Sequence, residues 1–374
     1  DVYNPDGDLL ISTDYDEIED FDDFELYKVY KDNFIGLVNL QFEVVLPVVY
    51  SEIEICGIFI IAKKDEQWGL FNKDGVVLSE TVFSEIELFK SYDSNWKNWL
   101  LIKKDEKCGL YNDLGKLVVN PMYDSLTSCD EFVITILEEK QGLINKEGLI
   151  LLENQYDNIE SLRNGHNLKC QIENKSYLFL NDTLLLLEQY YDSIEKLTNC
   201  HLTAKVGDHY GLLDITGHLC IPFEYDQIDM ICHLDDDSYV FKCKKNGYVC
   251  AFDIQKQKEI ISANYDDIKH IAGNDLYGVK SNDCWGLYKL DKGLITNVKY
   301  SQITFKNDDT IAVSIIEDGV VLQGHLDMNG NEVFSSEMKS EDGLYIKEFF
   351  GKWGVYNEKG DILLPLEIME SMSF

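Results

Sequence analysis

Several features that are common in globular proteins are scarce in this chain. Its 374 residues include only five prolines and a single arginine, Arg163. No Ser/Gly/Pro-rich tract is present, so the sequence indicates no linker between domains. No apolar run reaches transmembrane length, and no signal peptide is visible. No segment sustains a helical period beyond about ten residues, so the pattern predicts strands.

Signatures of catalysis and of metal binding are also missing. The Walker and Rossmann glycine motifs and the Gly-x-Ser-x-Gly elbow are absent, which predicts a protein without enzymatic activity or cofactor. The ten cysteines form no CxxC pair, and Cys200-His201 and Cys232-His233 would point to opposite faces of a strand, so no metal is expected. Free cysteines used as small apolar residues fit a reducing, cytoplasmic location.

The charge balance is strongly one-sided. Sixty-eight acidic residues stand against 33 basic ones, giving a formal net charge of −35. Such a surface repels phosphate backbones and anionic lipid, so we expect neither nucleic-acid nor membrane binding. It attracts a basic protein partner and speeds the encounter at low salt. The alternative is that the acidity only keeps a long β-rich array soluble.

One spacing recurs along the whole chain. A small residue such as Gly109 is followed fourteen positions later by a Tyr-Asp-x-Ile-like tetrad, here beginning at Tyr123. A spacing repeated this often indicates an array of one structural unit. Residues 1–374 are therefore predicted to form a single continuous array, with a partial unit over 1–14. The tetrads begin at residues 15, 50, 83, 123, 156, 191, 225, 265 and 300, with a degenerate one at 338.

The unit itself reads as short strands. In the fixed stretch, two apolar segments flank a turn with a glycine such as Gly75 or Gly115, where positive φ is expected. The stretch from a tetrad to the next anchor varies in length and must contain a loop. The fold class is therefore predicted as all-β, an open superhelical array of about ten β-hairpin repeats of roughly 35 residues. The alternative is a closed or partly closed propeller-like ring.

Three of the units carry a Trp-Gly pair in a pattern of residues that recurs along the chain. The stretches Gln67-Trp68-Gly69-Leu70, Cys284-Trp285-Gly286-Leu287 and Lys352-Trp353-Gly354-Val355 resemble the signature of WG (KWG) repeats, of which this chain looks like a diverged member. The resemblance implies a β-rich bacterial repeat used for binding, without a common catalytic chemistry. The six Trp and Gly residues are then structural residues of the repeat.

Candidate binding residues lie in the variable stretches. The two longest precede Gly109 and Ala251. We expect exposed aromatic anchors at Tyr92 and Trp96, with local packing as the alternative. Acidic runs are the second candidate surface, with solvated loop carboxylates as the alternative. These are Asp20, Asp22 and Asp23 near the start of the chain and Asp235, Asp236 and Asp237 in the second long loop.

Together these features predict a non-enzymatic, protein-binding β-repeat protein with a strongly acidic surface. Its charge suits an immunity or inhibitor protein that neutralises a basic toxin such as a nuclease. The alternative is a structural scaffold, or the binding region of a larger bacterial effector or surface protein.

Overall fold

The computed structural model of the chain is built from strands. It describes residues 2–3, 9–11, 14–21, 24–91, 96–162, 167–234, 238–273, 275–306, 310–317, 319–333, 336–339, 344–350, 352–357 and 362–367. Within these ranges there is no α-helix, and so no helix long and apolar enough to cross a membrane. Contacts divide the chain into two compact units, Asp1–Tyr190 and Tyr191–Phe374.

The first unit begins with a two-stranded sheet, which falls in the predicted partial unit, and continues with five four-stranded sheets. The pair is β1 (Val2–Tyr3) and β2 (Leu9–Ile11). Sheet 1 is β3 (Glu17–Phe21), β4 (Leu26–Lys31), β5 (Phe34–Asn39) and β6 (Val44–Tyr50); sheet 2 is β7 (Glu52–Cys56), β8 (Phe59–Lys64), β9 (Gln67–Phe71) and β10 (Val77–Phe83); sheet 3 is β11 (Glu85–Leu88), β12 (Leu100–Lys104), β13 (Lys107–Tyr111) and β14 (Leu117–Tyr123); sheet 4 is β15 (Ser125–Cys129), β16 (Phe132–Leu137), β17 (Lys140–Ile144) and β18 (Ile150–Tyr156); sheet 5 is β19 (Asn158–Ser161), β20 (Asn167–Ile172), β21 (Lys175–Leu180) and β22 (Leu185–Tyr191).

The second unit contains five further four-stranded sheets. Sheet 6 is β23 (Ser193–Lys196), β24 (His201–Val206), β25 (His209–Asp214) and β26 (Leu219–Tyr225); sheet 7 is β27 (Gln227–His233), β28 (Tyr239–Lys245), β29 (Tyr248–Asp253) and β30 (Lys258–Tyr265); sheet 8 is β31 (Asp267–Ala272), β32 (Leu276–Ser281), β33 (Cys284–Lys289) and β34 (Gly293–Leu294); sheet 9 is β35 (Gln302–Phe305), β36 (Thr310–Glu317), β37 (Val320–Asp327) and β38 (Glu332–Val333); sheet 10 is β39 (Ser336–Lys339), β40 (Tyr345–Phe349), β41 (Lys352–Tyr356) and β42 (Ile362–Glu367).

Every four-stranded sheet is an antiparallel meander, whose strands we call a, b, c and d in chain order. The tetrad joins consecutive sheets: its aromatic residue ends strand d of one sheet, and strand a of the next begins two residues later, as at Tyr50 and Glu52. The predicted all-β array of repeats is confirmed, with four strands in each repeat and no sheet closed into a barrel.

Burial explains the apolar positions of the repeat. The leucine after the anchor glycine is fully buried in Leu37, Leu70, Leu110 and Leu143. The tetrad aromatic and the tetrad isoleucine or leucine are buried too, for example Tyr156 at 4% and Ile159 at 3% exposure. These side chains form apolar clusters that each draw on neighbouring sheets. Sheets are therefore held to one another by the residues that recur, as expected of a repeat protein.

Two glycine positions have different physical causes. The glycine of the c–d turn has positive φ, 77° at Gly75 and 73° at Gly115, as predicted. The anchor glycine instead allows a close approach of strand d. A Cβ on Gly109 would lie 2.5 Å from the carbonyl oxygen of Val119, closer than real Cβ atoms come to other atoms.

The repeat departs from the predicted spacing in two sheets. In sheet 7, Val249 pairs with Tyr265, so the c–d connection holds one extra residue and the anchor position falls on Cys250 instead of Ala251. Sheet 10 begins at Ser336, ahead of the degenerate tetrad predicted at 338.

The cysteines behave as small core residues. All ten are free, and six of them are buried. Burial raises the pKa of Cys56 to about 11 and the pKa of Cys129 to about 12, so these thiols stay protonated at neutral pH.

Candidate functional site

The turns between strands b and c differ from the rest of the repeat in their chemistry. In sheets 1 to 5 each turn has two residues, and both have positive φ, for example 51° at Glu138 and 62° at Glu139. Two consecutive left-handed residues define a type I′ hairpin turn, whose twist matches that of the flanking strands. The ten turn residues are exposed. The eight acidic ones, which we call the acidic turn row, are Asp32, Asp65, Glu66, Asp105, Glu106, Glu138, Glu139 and Glu173.

In sheets 1, 4 and 5 the tetrad aspartate holds the turn in place, whereas sheets 2 and 3 have Ser51 and Ser84 at that position. The backbone N–H of Glu138 donates to Oδ2 of Asp124 at 2.8 Å, and that of Glu173 donates to Oδ2 of Asp157 at 2.9 Å. Since the tetrad is also where consecutive sheets join, the b–c turns lie at the joined end of the sheets. The acidic turn row therefore follows one edge of the first unit.

The five glutamates of this row are not residues that the turn conformation favours. Type I′ turns prefer Asn-Gly or Asp-Gly, because asparagine and aspartate tolerate positive φ and glycine has no Cβ to clash. Sheet 7, in the second unit, has this preferred pair at Asn246-Gly247. Glutamate in the left-handed region is disfavoured, so Glu138-Glu139 stores strain where a cheaper sequence exists.

The charge of the row is only partly compensated. Lys63 Nζ lies 3.2 Å from a carboxylate oxygen of Glu66 and 3.2 Å from one of Glu52. Glu66 is nevertheless 89% exposed, so this pair is solvated and contributes little to stability. A cleft of about 340 Å³ lies beside the row, lined by Phe34, Val48, Val49, Ser51, Lys64 and Asp65. Its lining is partly apolar and carries one positive and one negative side chain.

Most of the predicted binding residues fall outside the described part of the chain. These are Tyr92, Asp22, Asp23, Asp235, Asp236 and Asp237. Asp20 is described; it is exposed on β3, opposite Tyr27. The acidic turn row was missed because 68 acidic residues leave no pair conspicuous. Its signal in the sequence is the acidic doublet that ends two residues before the Trp-Gly position, as in Asp65-Glu66.

The structure corrects the prediction that Trp96 is an exposed anchor. Its side chain is 2% exposed and packs edge-on against Trp99 and Phe89, with ring centroids 4.9 and 5.6 Å away. The indole N–H donates to the carbonyl oxygen of Asp130 in the next sheet at 2.9 Å. The long loop thus returns onto the apolar core between sheets 3 and 4, because two large aromatic rings gain more from burial there than in solvent.

The Trp-Gly residues have structural positions. Trp68 and Trp285 pair with the tetrad aromatics Phe83 and Tyr300, and both tryptophans are half-buried. A lysine covers one ring face: Lys269 Nζ lies 4.3 Å from the Trp285 ring centroid. The third tryptophan, Trp353, is also half-buried, and all three glycines of the pairs are buried, namely Gly69, Gly286 and Gly354.

A second recurring surface lies at the opposite end of the strands. The first residue of strand d is an exposed aliphatic residue in each sheet of the first unit, namely Val44, Val77, Leu117, Ile150 and Leu185. The c–d turns of sheets 2, 3 and 4 approach strand d of the sheet before, as a Cβ on Gly75 would lie 2.3 Å from the carbonyl oxygen of Val45. Such apolar rows are typical of interaction surfaces, but the charges beside this one have both signs, as in Lys73-Asp74 and Lys146-Glu147, and specify no partner.

Comparison with known families supports the resemblance to WG repeats. The family model described as WG containing repeat matches residues 2–33 and 255–285. The predicted WG repeats are thus confirmed at these two places, one in each unit. No curated protein matches the chain.

Solved structures share a β-rich fold with the chain at low similarity. The extracellular domain of BT4673 from B. thetaiotaomicron is 11% identical, with 95% of this chain and 66% of that chain covered, at a TM-score of 0.24. A eukaryotic initiation factor is 10% identical, with 92% and 96% covered and a TM-score of 0.30. The tricorn protease is 13% identical, with 86% and 42% covered and a TM-score of 0.26. Likenesses at these scores carry no argument about function.

Proposed function

We propose that the protein is a non-enzymatic binding protein that holds a basic protein partner along the acidic turn row. The observation that carries this proposal is glutamate at left-handed positions in four consecutive turns, those of sheets 2 to 5, where Asn-Gly would fold at lower cost. Carboxylates kept at a strained position are expected where their charge is used.

The geometry supports electrostatic recognition. A row of carboxylates along one edge adds to the field of a chain with a net charge of −35, which raises the association rate of a positively charged protein.

The aspartates of the repeat support binding in preference to catalysis. Hydrogen bonds from lysines lower the pKa of Asp14, Asp124 and Asp157, and turn N–H donors add to this effect at the last two. Carboxyl groups that act as general acids at neutral pH need a raised pKa instead. Asp124 and Asp157 therefore serve as turn clamps that remain ionised.

A more specific partner follows from the same charge argument. A nuclease must present a basic face to its polyanionic substrate, and an acidic edge is complementary to that face. We therefore propose a basic toxin such as a nuclease as the partner, with an immunity role for this protein. A structural scaffold is the alternative outcome. Inhibition of a nuclease encoded by a neighbouring gene would distinguish the two.

The test of the proposal compares two charge-matched variants. The row variant changes the eight acidic residues of the acidic turn row to Asn or Gln. The control variant makes the same eight-charge change at exposed acidic positions of the first unit outside that row: Glu43, Asp74, Glu80, Asp113, Glu147, Glu153, Asp182 and Glu188. Binding of cytochrome c, a small basic probe protein, is measured by calorimetry at low and high salt.

The two variants have the same net charge, so their difference reports position alone. We expect roughly tenfold or greater weakening by the row variant beyond that of the control, and a shallower salt dependence. Equal weakening by the two variants would refute a localised binding edge. Salt-independent binding of the wild type would refute the electrostatic mechanism.

A further inference from the structure

The c–d turn of sheet 6 differs chemically from its counterparts. In sheets 2, 3 and 4 this turn begins with an asparagine, and aliphatic or lysine residues follow four and six positions later. In sheet 6 the same positions hold Asp214, His218 and Cys220. The counterparts are Asn72, Val76 and Leu78; Asn112, Lys116 and Val118; and Asn145, Leu149 and Leu151.

The turn brings these three side chains together. Oδ1 of Asp214 accepts hydrogen bonds from the backbone N–H of Thr216 at 2.8 Å and of His218 at 3.0 Å, and from the Thr216 hydroxyl at 2.6 Å. This folds the carboxylate back over the start of β26. His218 and Cys220 are two residues apart at that point, so their side chains share a face. One donor atom from each of the three residues lies within 4.8 Å of the other two.

We infer that Asp214, His218 and Cys220 bind a divalent transition-metal ion of the zinc type. Carboxylate oxygen, imidazole nitrogen and thiolate sulfur are the three ligand types that zinc prefers, at distances of about 2.0–2.3 Å. Ligands of one tetrahedral ion are therefore roughly 3.5 Å apart, and rotation of the exposed His218 side chain shortens the remaining gap. Solvent supplies the fourth ligand, because the His218 side chain is exposed to water.

The surroundings of the cluster fit a metal site. The Thr216 hydroxyl donates to the Asp214 carboxylate and orients it. Residues that hydrogen-bond to a metal ligand commonly have this role. Cys220 is half-buried and packs against the apolar cluster between sheets 6 and 7, which limits solvent access to its sulfur. The protein side thus provides an ordered ligand, a shielded sulfur and one open position.

The adjacent Cys-His pairs seen in the sequence do not form this site. His201 is buried at 7% exposure, and its Nδ1 lies 3.1 Å from the Thr198 hydroxyl. The cluster instead uses a spacing of four and two residues across a turn. Sequence motifs for zinc do not include that spacing, so only the folded turn reveals it.

The experiment titrates the full-length protein with Co²⁺ and Zn²⁺. Co²⁺ reports the ligands directly, since a thiolate ligand gives a sulfur-to-cobalt charge-transfer band that Zn²⁺ then removes by displacement. The ligand variants are Cys220→Ser and His218→Gln. The matched controls in the same sheet are Cys200→Ser, an exposed thiol, and His209→Gln, an exposed imidazole.

We expect one equivalent of Co²⁺, a charge-transfer band lost in Cys220→Ser, and at least roughly tenfold weaker binding in His218→Gln. Both control variants should match the wild type. Unfolding of every variant without metal verifies that each still folds. Absence of the band in the wild type, its survival in Cys220→Ser, or its loss in Cys200→Ser would each overturn the assignment.

Discussion

Replacing Glu138-Glu139 by Asn-Gly should stabilise the protein and weaken its binding to a basic probe. The two residues form the b–c turn of sheet 4 with φ of 51° and 62°. A non-glycine residue in the left-handed region costs about 1–2 kcal/mol, while a glycine adds about 0.5–1 kcal/mol of unfolded-state entropy. The double change therefore gains roughly 0.5–1 kcal/mol in the free energy of unfolding.

The second unit offers a reciprocal control. Asn246-Gly247 already forms a b–c turn, and a Cβ on Gly247 would have no atom within 4 Å. Changing this pair to Glu-Glu introduces the same φ strain without a steric clash, so the free energy of unfolding should fall by a similar amount. Urea unfolding measures both changes, and calorimetry with cytochrome c measures binding.

Stability and binding are expected to change in opposite directions. If the acidic residues are retained for their charge, removing them makes the turn more stable and the binding weaker. A Glu138-Glu139 replacement that lowers the free energy of unfolding would show that these carboxylates stabilise the turn. Unchanged binding after replacement of all five turns would show that the edge has no part in recognition.

Three further predictions concern the repeat itself. The hydrogen bond from Lys107 lowers the folded-state pKa of Asp124 below the unfolded value near 3.9. The stabilisation that the Asp124 carboxylate gives is therefore complete above about pH 4 and disappears as the pH falls through the folded pKa. Unfolding of wild type and Asp124→Asn at several pH values should show their stability difference following that course. Trp96→Ala should cost about 3–5 kcal/mol in urea unfolding and leave cytochrome c binding unchanged, because the ring is a core residue. Gly109→Ala should cost about 1–3 kcal/mol, since its Cβ would meet the carbonyl of Val119, and the melting temperature reports it.

Each of these has a matched control. Asp113→Asn removes an exposed charge from the c–d turn of the same sheet and is the charge-matched control. Gly207→Ala adds a methyl group where no atom lies within 4 Å, so any cost there comes from its φ of 63° alone. A Trp96→Ala variant with unchanged stability would contradict the buried position of the ring.

The repeat could be predicted from the sequence because its signals are local and recur. The positive φ of Gly75 and Gly115 follows from a glycine at a constant offset from the anchor. The failures occur where a unit departs from the others. The extra residue near Asp253 moved the anchor from Ala251 to Cys250, and no periodicity could reveal it.

The site residues were harder to predict for a related reason. Trp96 lies in a loop found in one sheet only, so no repeated position indicated whether its ring faces solvent or core. Charge, conversely, is so abundant that Asp65-Glu66 looked no different from other acidic pairs. What distinguishes that pair is its backbone conformation, and φ is a property of the folded turn.

In sheets 1, 4 and 5 the tetrad aspartate explains how the turn can hold its conformation with unfavourable residues. Asp124 clamps the turn by accepting the N–H of Glu138, while Lys107 donates to the same carboxylate at 2.5 Å. The clamp holds the backbone, so the turn does not depend on the residue types that would otherwise favour it. The two turn side chains are thereby released to vary with function. In the first unit they are almost all acidic, and that uniformity under strain is the strongest reason to look for the partner at the clamped edge.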